Sequence, residues 1–482
     1  MERQPDNMSA LRRFAYNLGS GGFSILDNLF GIYFIFFLLP PLESGLPERV
    51  SNAPLFLGLT LTGLIVVFGR IIDSVSDPLI AYWSDSSRSK LGRRRFFLVT
   101  GALPFALVCF LLFTPPTAGV SGLNAAYEFV LLGLYFFLYT YYIAPYLALI
   151  PELSRTHGQR ISMTAQQALF SLLGAVVVMM GVPALWDGFA ARAGGASPSA
   201  FLIAVGSSAA LSLAFMLAPV FAVDERRFSS GKPSAVPFFE SIRRTVGNRP
   251  FMIYILSNMM FFFAFNVIRA TVAYYPVVLL GRPQSFQTFL MAALFGSAAL
   301  WFVGIGLLSR RVDNKRLMAS GLLCFAVLLN LSMVIGRVGD AGVALAFIQM
   351  ALLGYPVAVL LVIPNAMVAD LGEADALATG QRREAMFFGT QGFFMKVNLG
   401  LAAVIVSSLF AAFGKDASRP LGVELSGPIA AAVSLIGFFV ILRYPQEKVA
   451  GLLATARGDA GDRAAAEPSG AATAASAKGA RK

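Results

Sequence analysis

The stretch GRIIDSVSDPLIAYWSD holds Arg70, Asp73 and Asp77. At positions i, i+3 and i+7 these side chains fall on one face of a helix. The surrounding residues are apolar enough to lie inside a membrane, where each ionisable side chain costs roughly 3 kcal/mol or more, so all three are functional candidates. Two carboxylates there cannot both stay ionised unless positive charge neutralises them. Arg70 can serve one of them. Lys396, in GTQGFFMKVNLG, can reach the other across a gap between helices. Asp73 and Asp77 then offer hard oxygen ligands that suit Na+ as the bound metal ion, and a carboxylate that keeps its proton would equally suit H+. The same charges could instead form an ion-pair network that only fixes helix register.

Other polar residues fall in apolar runs. Asp27 and Asn28 sit in the middle of the first such run, where a carboxylate could hydrogen-bond a polyhydroxy ligand or line water. Arg269, with Asn266 one turn earlier, either meets an anionic group of a solute or snorkels outward. Gln391, five residues before Lys396, lies on roughly the same helical side and is a further candidate for a solute cavity. Aromatic runs such as YFFLYTYYIAPY and MMFFFAFN read as packing or lipid-facing surface. The single histidine, His157, reads as a solvated loop residue, and the two cysteines, Cys109 and Cys324, are too isolated for a disulfide framework or a metal site. Neither a phosphate-cradling glycine loop nor a nucleophile with its base can be found, so no enzyme and no cofactor are expected.

The elements that must carry these residues follow from composition. Of 482 residues, 57% are apolar and only 13% charged, against about 25% charged in soluble domains. With a mean hydropathy of +0.70, the chain belongs in a bilayer, where only helices and closed barrels satisfy the backbone. Twelve stretches are long and apolar enough for a spanning helix: 15–40, 55–83, 96–114, 124–150, 163–186, 200–222, 251–280, 286–308, 317–336, 342–368, 385–413 and 427–444. The expected fold is therefore an all-α membrane protein of twelve transmembrane helices.

A polar segment separates the first six from the last six. The reading is a leader at 1–14, a six-helix bundle at 15–223, a linker at 224–250, a second bundle at 251–444 and a disordered tail at 445–482. APYLALIPEL in span four and YPVAVLLVIPNAMVADL in span ten are weakly alike, as duplicated, pseudo-symmetric halves would be. Of 38 Lys and Arg, 29 fall in the leader, tail and connections on the side of the termini and 6 on the other. Cytoplasmic connections carry such an excess, so both termini are expected in the cytoplasm. That asymmetry accounts for the net charge of +12 without nucleic acid as a partner. A monomer in a bacterial inner membrane is the expected setting.

With these residues in view, the chain resembles the glycoside-pentoside-hexuronide:cation symporters of the major facilitator superfamily, which include the melibiose carrier. The resemblance rests on R-x-x-D-x-x-x-D-P at Arg70 to Pro78, and on SDSSRSKLGRRR with Asp85, Gly92, Arg93, Arg94 and Arg95. NRPF at Asn248 to Phe251, IPNAMVADL and TGQRREAMFFG add to it. It implies alternating access, uptake of a sugar, glycoside or sugar acid driven by a cation, cation-site roles for Asp73 and Asp77, and a coupling role for Lys396. The GRRR turn beside Asp85 reads as a cytoplasmic gate, a topology signal or both, with Arg382, Arg383 and Glu384 as its counterpart in the second half.

Departures bear on the solute. Ser24 stands where sugar-carrying members have an acid, Ile143 and Leu147 replace an acid and a tryptophan, and Gln166 and Gln167 lie near a missing arginine. The pattern also resembles the related lysolipid-carrying branch, whose substrates are amphipathic. A sensor or scaffold that moves nothing has no need of such costly buried charge.

Overall fold

The computed structural model describes residues 8–55, 59–154, 157–192, 197–225, 247–309, 311–379 and 384–453. Every extended element among them is helical. In chain order these are α1 (Ala10–Leu38), α2 (Leu61–Ser86), α3 (Arg95–Leu111), α4 (Gly122–Leu153) and α5, which starts as His157–Val176 and ends at Arg192. They continue with α6 (Pro198–Ala222), α7 (Arg249–Leu279), α8 (Phe286–Leu308) and α9 (Asn314–Ile335). The last three are α10 (Asp340–Thr379), α11 (Glu384–Phe413) and α12 (Leu421–Ile441). Ten of the described helices are long and apolar enough to cross a membrane. The exceptions are the shorter α3 and α2, whose middle carries Arg70, Asp73 and Asp77.

Local sequence sets several of the starts. Ser9, Thr60, Ser121 and Asn248 each accept a backbone N–H of the first turn on their side chains, satisfying donors that a helix start leaves open. Helices also outrun their apolar stretches, because helix propagation does not stop where hydropathy does. His157, expected in a loop, is for that reason the first residue of α5. The tail, expected to be disordered from 445, is helical at 446–453. Val449 and Leu453, one turn apart, are both buried, and this small apolar face orders it. The rest of the tail and most of the linker lie outside the described residues.

Packing repeats with a shift of six helices. α1 packs on α5 and α6, as α7 packs on α11 and α12; α2 packs on α4, as α8 packs on α10; α3 packs on α4 and α6, as α9 packs on α10 and α12. The two sets meet along α2 with α11 and along α8 with the π turn of α5. Small residues allow the closest approaches. A Cβ on Gly22 of α1 would lie 2.8 Å from the Ser212 carbonyl oxygen of α6, and one on Gly174 of α5 would lie 2.5 Å from that of Gly21.

One end of the bundle is sealed between the N-terminal and C-terminal parts of the chain. At this distal end, away from the termini, the Lys415 ammonium is buried and donates to the Pro40 carbonyl (2.8 Å) and to Glu48 (2.7 Å). Asp416 accepts Leu42 N–H at 2.8 Å and Glu43 accepts Ala417 N–H at 2.7 Å. Tyr274 donates to the Leu39 carbonyl at 2.9 Å, and Asp187 accepts Ser285 N–H at 2.5 Å.

Candidate functional site

Below that seal, α2 and α11 run side by side from Thr60 and Ser407, whose hydroxyls are 2.8 Å apart, to Asp77 and Lys396. The helical spacing of Arg70, Asp73 and Asp77 turns all three toward α4 and α11. Arg70 Nη1 donates to Asp73 Oδ2 at 3.1 Å. The Lys396 ammonium reaches both carboxylates, Asp73 Oδ1 at 2.8 Å and Asp77 Oδ2 at 2.7 Å. The sequence reading gave Asp73 and Asp77 one cation each; here Lys396 bridges the two. The Thr140 hydroxyl of α4 lies 3.1 Å from Asp73 Oδ1 and 3.1 Å from Asp77 Oδ1. Its single proton can serve only one of them at a time.

The charges cancel, two positive against two negative, which is the condition for keeping them in a low-dielectric interior. Burial is uneven. Asp73 is fully buried, whereas the Asp77 side chain is 38% exposed and that of Lys396 21%. The pocket thus has a closed end at Asp73 and an open end at Asp77. The Arg70 guanidinium lies 4.1 Å from the Phe136 ring centroid, a cation–π contact that fixes it against α4. Asp73, Asp77 and Thr140 together offer a small, hard oxygen set, and no cluster of three or more His, Cys, Asp or Glu suited to a metal ion occurs among the described residues. Such a set fits a monovalent cation or a proton, and the Lys396 ammonium stands where that cation would sit.

A second charged pair lies between α1 and α7. Arg269 Nη2 donates to Asp27 Oδ2 at 2.8 Å and to the Asp27 carbonyl at 2.5 Å. Arg269 is buried and does not snorkel. Its guanidinium fills the notch left by Gly31, where a Cβ would fall 2.3 Å from Arg269 Cζ. Gly31→Ala must therefore push Arg269 off Asp27. Breaking a partly buried pair should lower stability by about 2–4 kcal/mol, read as a fall in the thermal midpoint that Gly296→Ala, in open space, does not cause.

The remaining cavity candidates divide. Asn28 turns back on its own helix, donating to the Ser24 carbonyl at 2.8 Å. Gln391 accepts the Tyr254 hydroxyl at 3.0 Å and is held against α7. Asn266 borders a void of about 20 Å³ shared by α1, α2, α7 and α11. Ser24, at the position of the missing acid, donates to the Ser171 carbonyl, and Gln166 accepts an N–H of Asn17.

The arginine turn before α3 is built, and its described partners are two glutamates that the sequence reading did not assign to it. Glu152, at the end of α4, accepts Arg93 Nη2 at 2.7 Å and Arg94 Nη1 at 2.5 Å. Glu225, just after α6, accepts the backbone N–H groups of Arg94 (2.8 Å) and Arg95 (3.0 Å), capping α3. Gly92 makes this possible, with φ of 111° and no room for a Cβ beside Glu225. The side chains of Asp85 and Glu384, and all of Arg382 and Arg383, lie outside the described residues.

Sequence reasoning missed Thr140, Glu152 and Glu225. Thr140 stood inside an aromatic run set aside as packing. Glu152 was visible as the acid closing APYLALIPEL.

A helical bundle with a carboxylate pair, buried at Asp73 and open at Asp77, neutralised by an arginine and by a lysine from the other part of the chain, is the arrangement of a cation-coupled membrane transporter. The chain belongs to the MFS/sugar transport protein family, whose model matches residues 15–446. It is similar to the inner membrane symporter YicJ of Escherichia coli strain K12, 25% identical over 86% of this chain and 85% of that one. It is also similar to the sodium-dependent lysophosphatidylcholine symporter 1 of Xenopus tropicalis, 22% identical over 91% of this chain and 87% of that one. In fold it matches an inward-facing, unoccupied bacterial homolog of the human lysosomal transporter Spinster, with a TM-score of 0.66 and 13% identity, covering 92% of this chain and 97% of that one. The chain is thus a multi-pass membrane transporter and not an enzyme.

Proposed function

We propose that a cation, Na+ or H+, binds at Asp73 and Asp77 by displacing the Lys396 ammonium, and that this exchange couples its movement to that of an organic solute. The observation that carries the reading is the Lys396 bridge to both carboxylates, at 2.8 and 2.7 Å. The cation and the lysine compete for one place, so whatever draws Lys396 away favours the cation. The solute is a sugar, glycoside or sugar acid, as in the family, bound between two six-helix bundles of twelve spanning helices. The repeated packing pairs support that division. Asp27 and Arg269, paired where α1 meets α7, contact that solute, and the arginine turn acts as the cytoplasmic gate.

In this reading the chain works as a monomer in a bacterial inner membrane, in contact with lipid, with both termini cytoplasmic. The distal end then faces outward, and its seal belongs to a state open toward the cytoplasm. Lys415→Met should loosen that seal. A cysteine at Ala402, buried beside the void of about 20 Å³ beneath the seal, should then react several-fold faster with a bulky maleimide, whereas one at Ala191, exposed in a cavity of about 470 Å³ at the distal end, should not change.

One observation favours a second solute class. Leu147, at the position of the family's tryptophan, is 44% exposed, and Ile143 occupies the place of an acid. Apolar side chains at both places suit an acyl chain better than a sugar, and the lysophosphatidylcholine symporter is among the relatives. Thermal shift of the purified protein against glycosides, sugar acids and lysolipids, each with and without Na+, tests both, because a specific binder stabilises the fold. A cation effect absent from every class, both with Na+ and on repeating the series at acidic and alkaline pH, would overturn the coupling.

A further inference from the structure

Glu128 of α4 is fully buried, and neither of its carboxylate oxygens has a hydrogen-bond partner. It lies three turns, about 18 Å, from Thr140 toward the distal end, on the same buried face as Leu132 and Phe136. The cation site does not use it.

The charged and titratable groups around it are all engaged elsewhere. On α2, Arg70 is paired with Asp73 and stacked on Phe136. On α3, Arg95 is at the opposite end on Glu225 and Val220, and Cys109 faces the Leu26 carbonyl. On α4 itself, the Tyr127 and Tyr135 hydroxyls donate to the carbonyls of Leu111 and Leu26. On α1, Asp27 holds Arg269; on α5, Asp187 holds Ser285 and Arg192 lies over Phe189. Arg49, in the connection before α2, donates to the Thr117 carbonyl at 2.8 Å.

An ionised carboxylate cannot remain in such a place without a partner. We propose that Glu128 is a proton-binding site separate from the cation site, loaded when the distal end is sealed and emptied when it opens. The roof over it is mechanically tied to the seal. Asn124, one turn earlier on α4, donates to the carbonyls of Arg49 and Thr117. Arg49 directly follows Glu48, which Lys415 grips in the sealed state. Release of Glu48 loosens this roof and admits water, and the hydrated carboxyl gives its proton to the distal solution. Resealing takes one back, so the proton is exchanged and not carried across.

The linkage has a definite sign. The sealed state binds one proton more, so acid favours it and its advantage fades as pH rises. The proposal rests on the alternating states described above, but on neither the solute nor the coupling cation. The test is therefore maleimide labelling in detergent of Ala402→Cys, buried beside the void between α2 and α11. It is divided at each pH by the labelling of the exposed Ala191→Cys, so that the ionisation of the thiol itself cancels, with peptide mapping to separate it from Cys109 and Cys324. The ratio should rise several-fold across two pH units from mildly acidic to mildly alkaline. Adding Glu128→Gln, a neutral isostere, should leave the ratio low and flat. An unchanged pH response in Glu128→Gln overturns the proposal. If Lys415→Met also fails to speed labelling, the alternating states themselves are wrong. Should Glu128→Gln fail to fold, the unaltered chain decides. Dicyclohexylcarbodiimide, which attacks protonated carboxyls in apolar surroundings, must modify Glu128 at mildly acidic pH, and an unmodified Glu128 overturns the proposal.

Discussion

Asp77→Asn abolishes the thermal stabilisation given by Na+, and with it concentrative transport, while folded protein persists in the membrane. The contrast with Asp73 explains why Asp77 is the informative position. Asp73 is fully buried and holds Arg70, Lys396 and Thr140, so neutralising it strands two cations and endangers the fold, at about 3–5 kcal/mol. Asp77 stands at the open end and bonds only Lys396 and Thr140 among the described contacts. After its neutralisation Lys396 keeps Asp73, and its partly exposed ammonium can still reach water. The loss in cation binding is far larger than the loss in stability. One unit charge about 4 Å away at an effective dielectric of about 20 contributes about 4 kcal/mol, which is about a thousandfold in affinity. Titration of the melting temperature with NaCl, against choline chloride as the ionic-strength control, measures this. A variant stabilised by Na+ as strongly as the parent would remove Asp77 from the site.

The sequence reveals these acids because charge inside an apolar run is conspicuous, and helical spacing alone places Arg70, Asp73 and Asp77 on one face. Their partners are harder to read. Thr140 carries no charge and hides among aromatic neighbours, so its role emerges only where α4 crosses α2. Asp27 and Arg269 were visible separately; their pairing, across 242 positions of chain, depends on the meeting of α1 and α7 and on the Gly31 notch. Glu152 and Glu225 become partners of the arginine turn because two helix ends converge there, which no local pattern encodes. The distal seal is the least legible part, since Lys415, Glu43 and Glu48 read as ordinary connection residues until the chain brings them together.

Lys396→Ala raises cation affinity and severs its dependence on solute. In the sealed state the ammonium occupies the position between Asp73 and Asp77, so a cation must first evict it. Removing the competitor leaves two carboxylates facing Arg70 alone, a site with one negative charge in excess. Na+ should then bind about tenfold tighter or better, a shift of about 1.4 kcal/mol or more, seen as stabilisation at correspondingly lower NaCl. Coupling between two ligands is reciprocal. If Lys396 is the element that both solute and cation move, its loss abolishes mutual enhancement in both directions, and neither ligand sharpens the thermal response to the other. The bridge also joins α11 to α2, so the variant weakens a contact between the two parts of the chain and shifts the balance of alternating states. Labelling of Ala402→Cys relative to the exposed Ala191→Cys reports that shift separately from affinity. A Lys396→Ala protein with unchanged Na+ affinity and intact solute enhancement would show that the ammonium only balances charge.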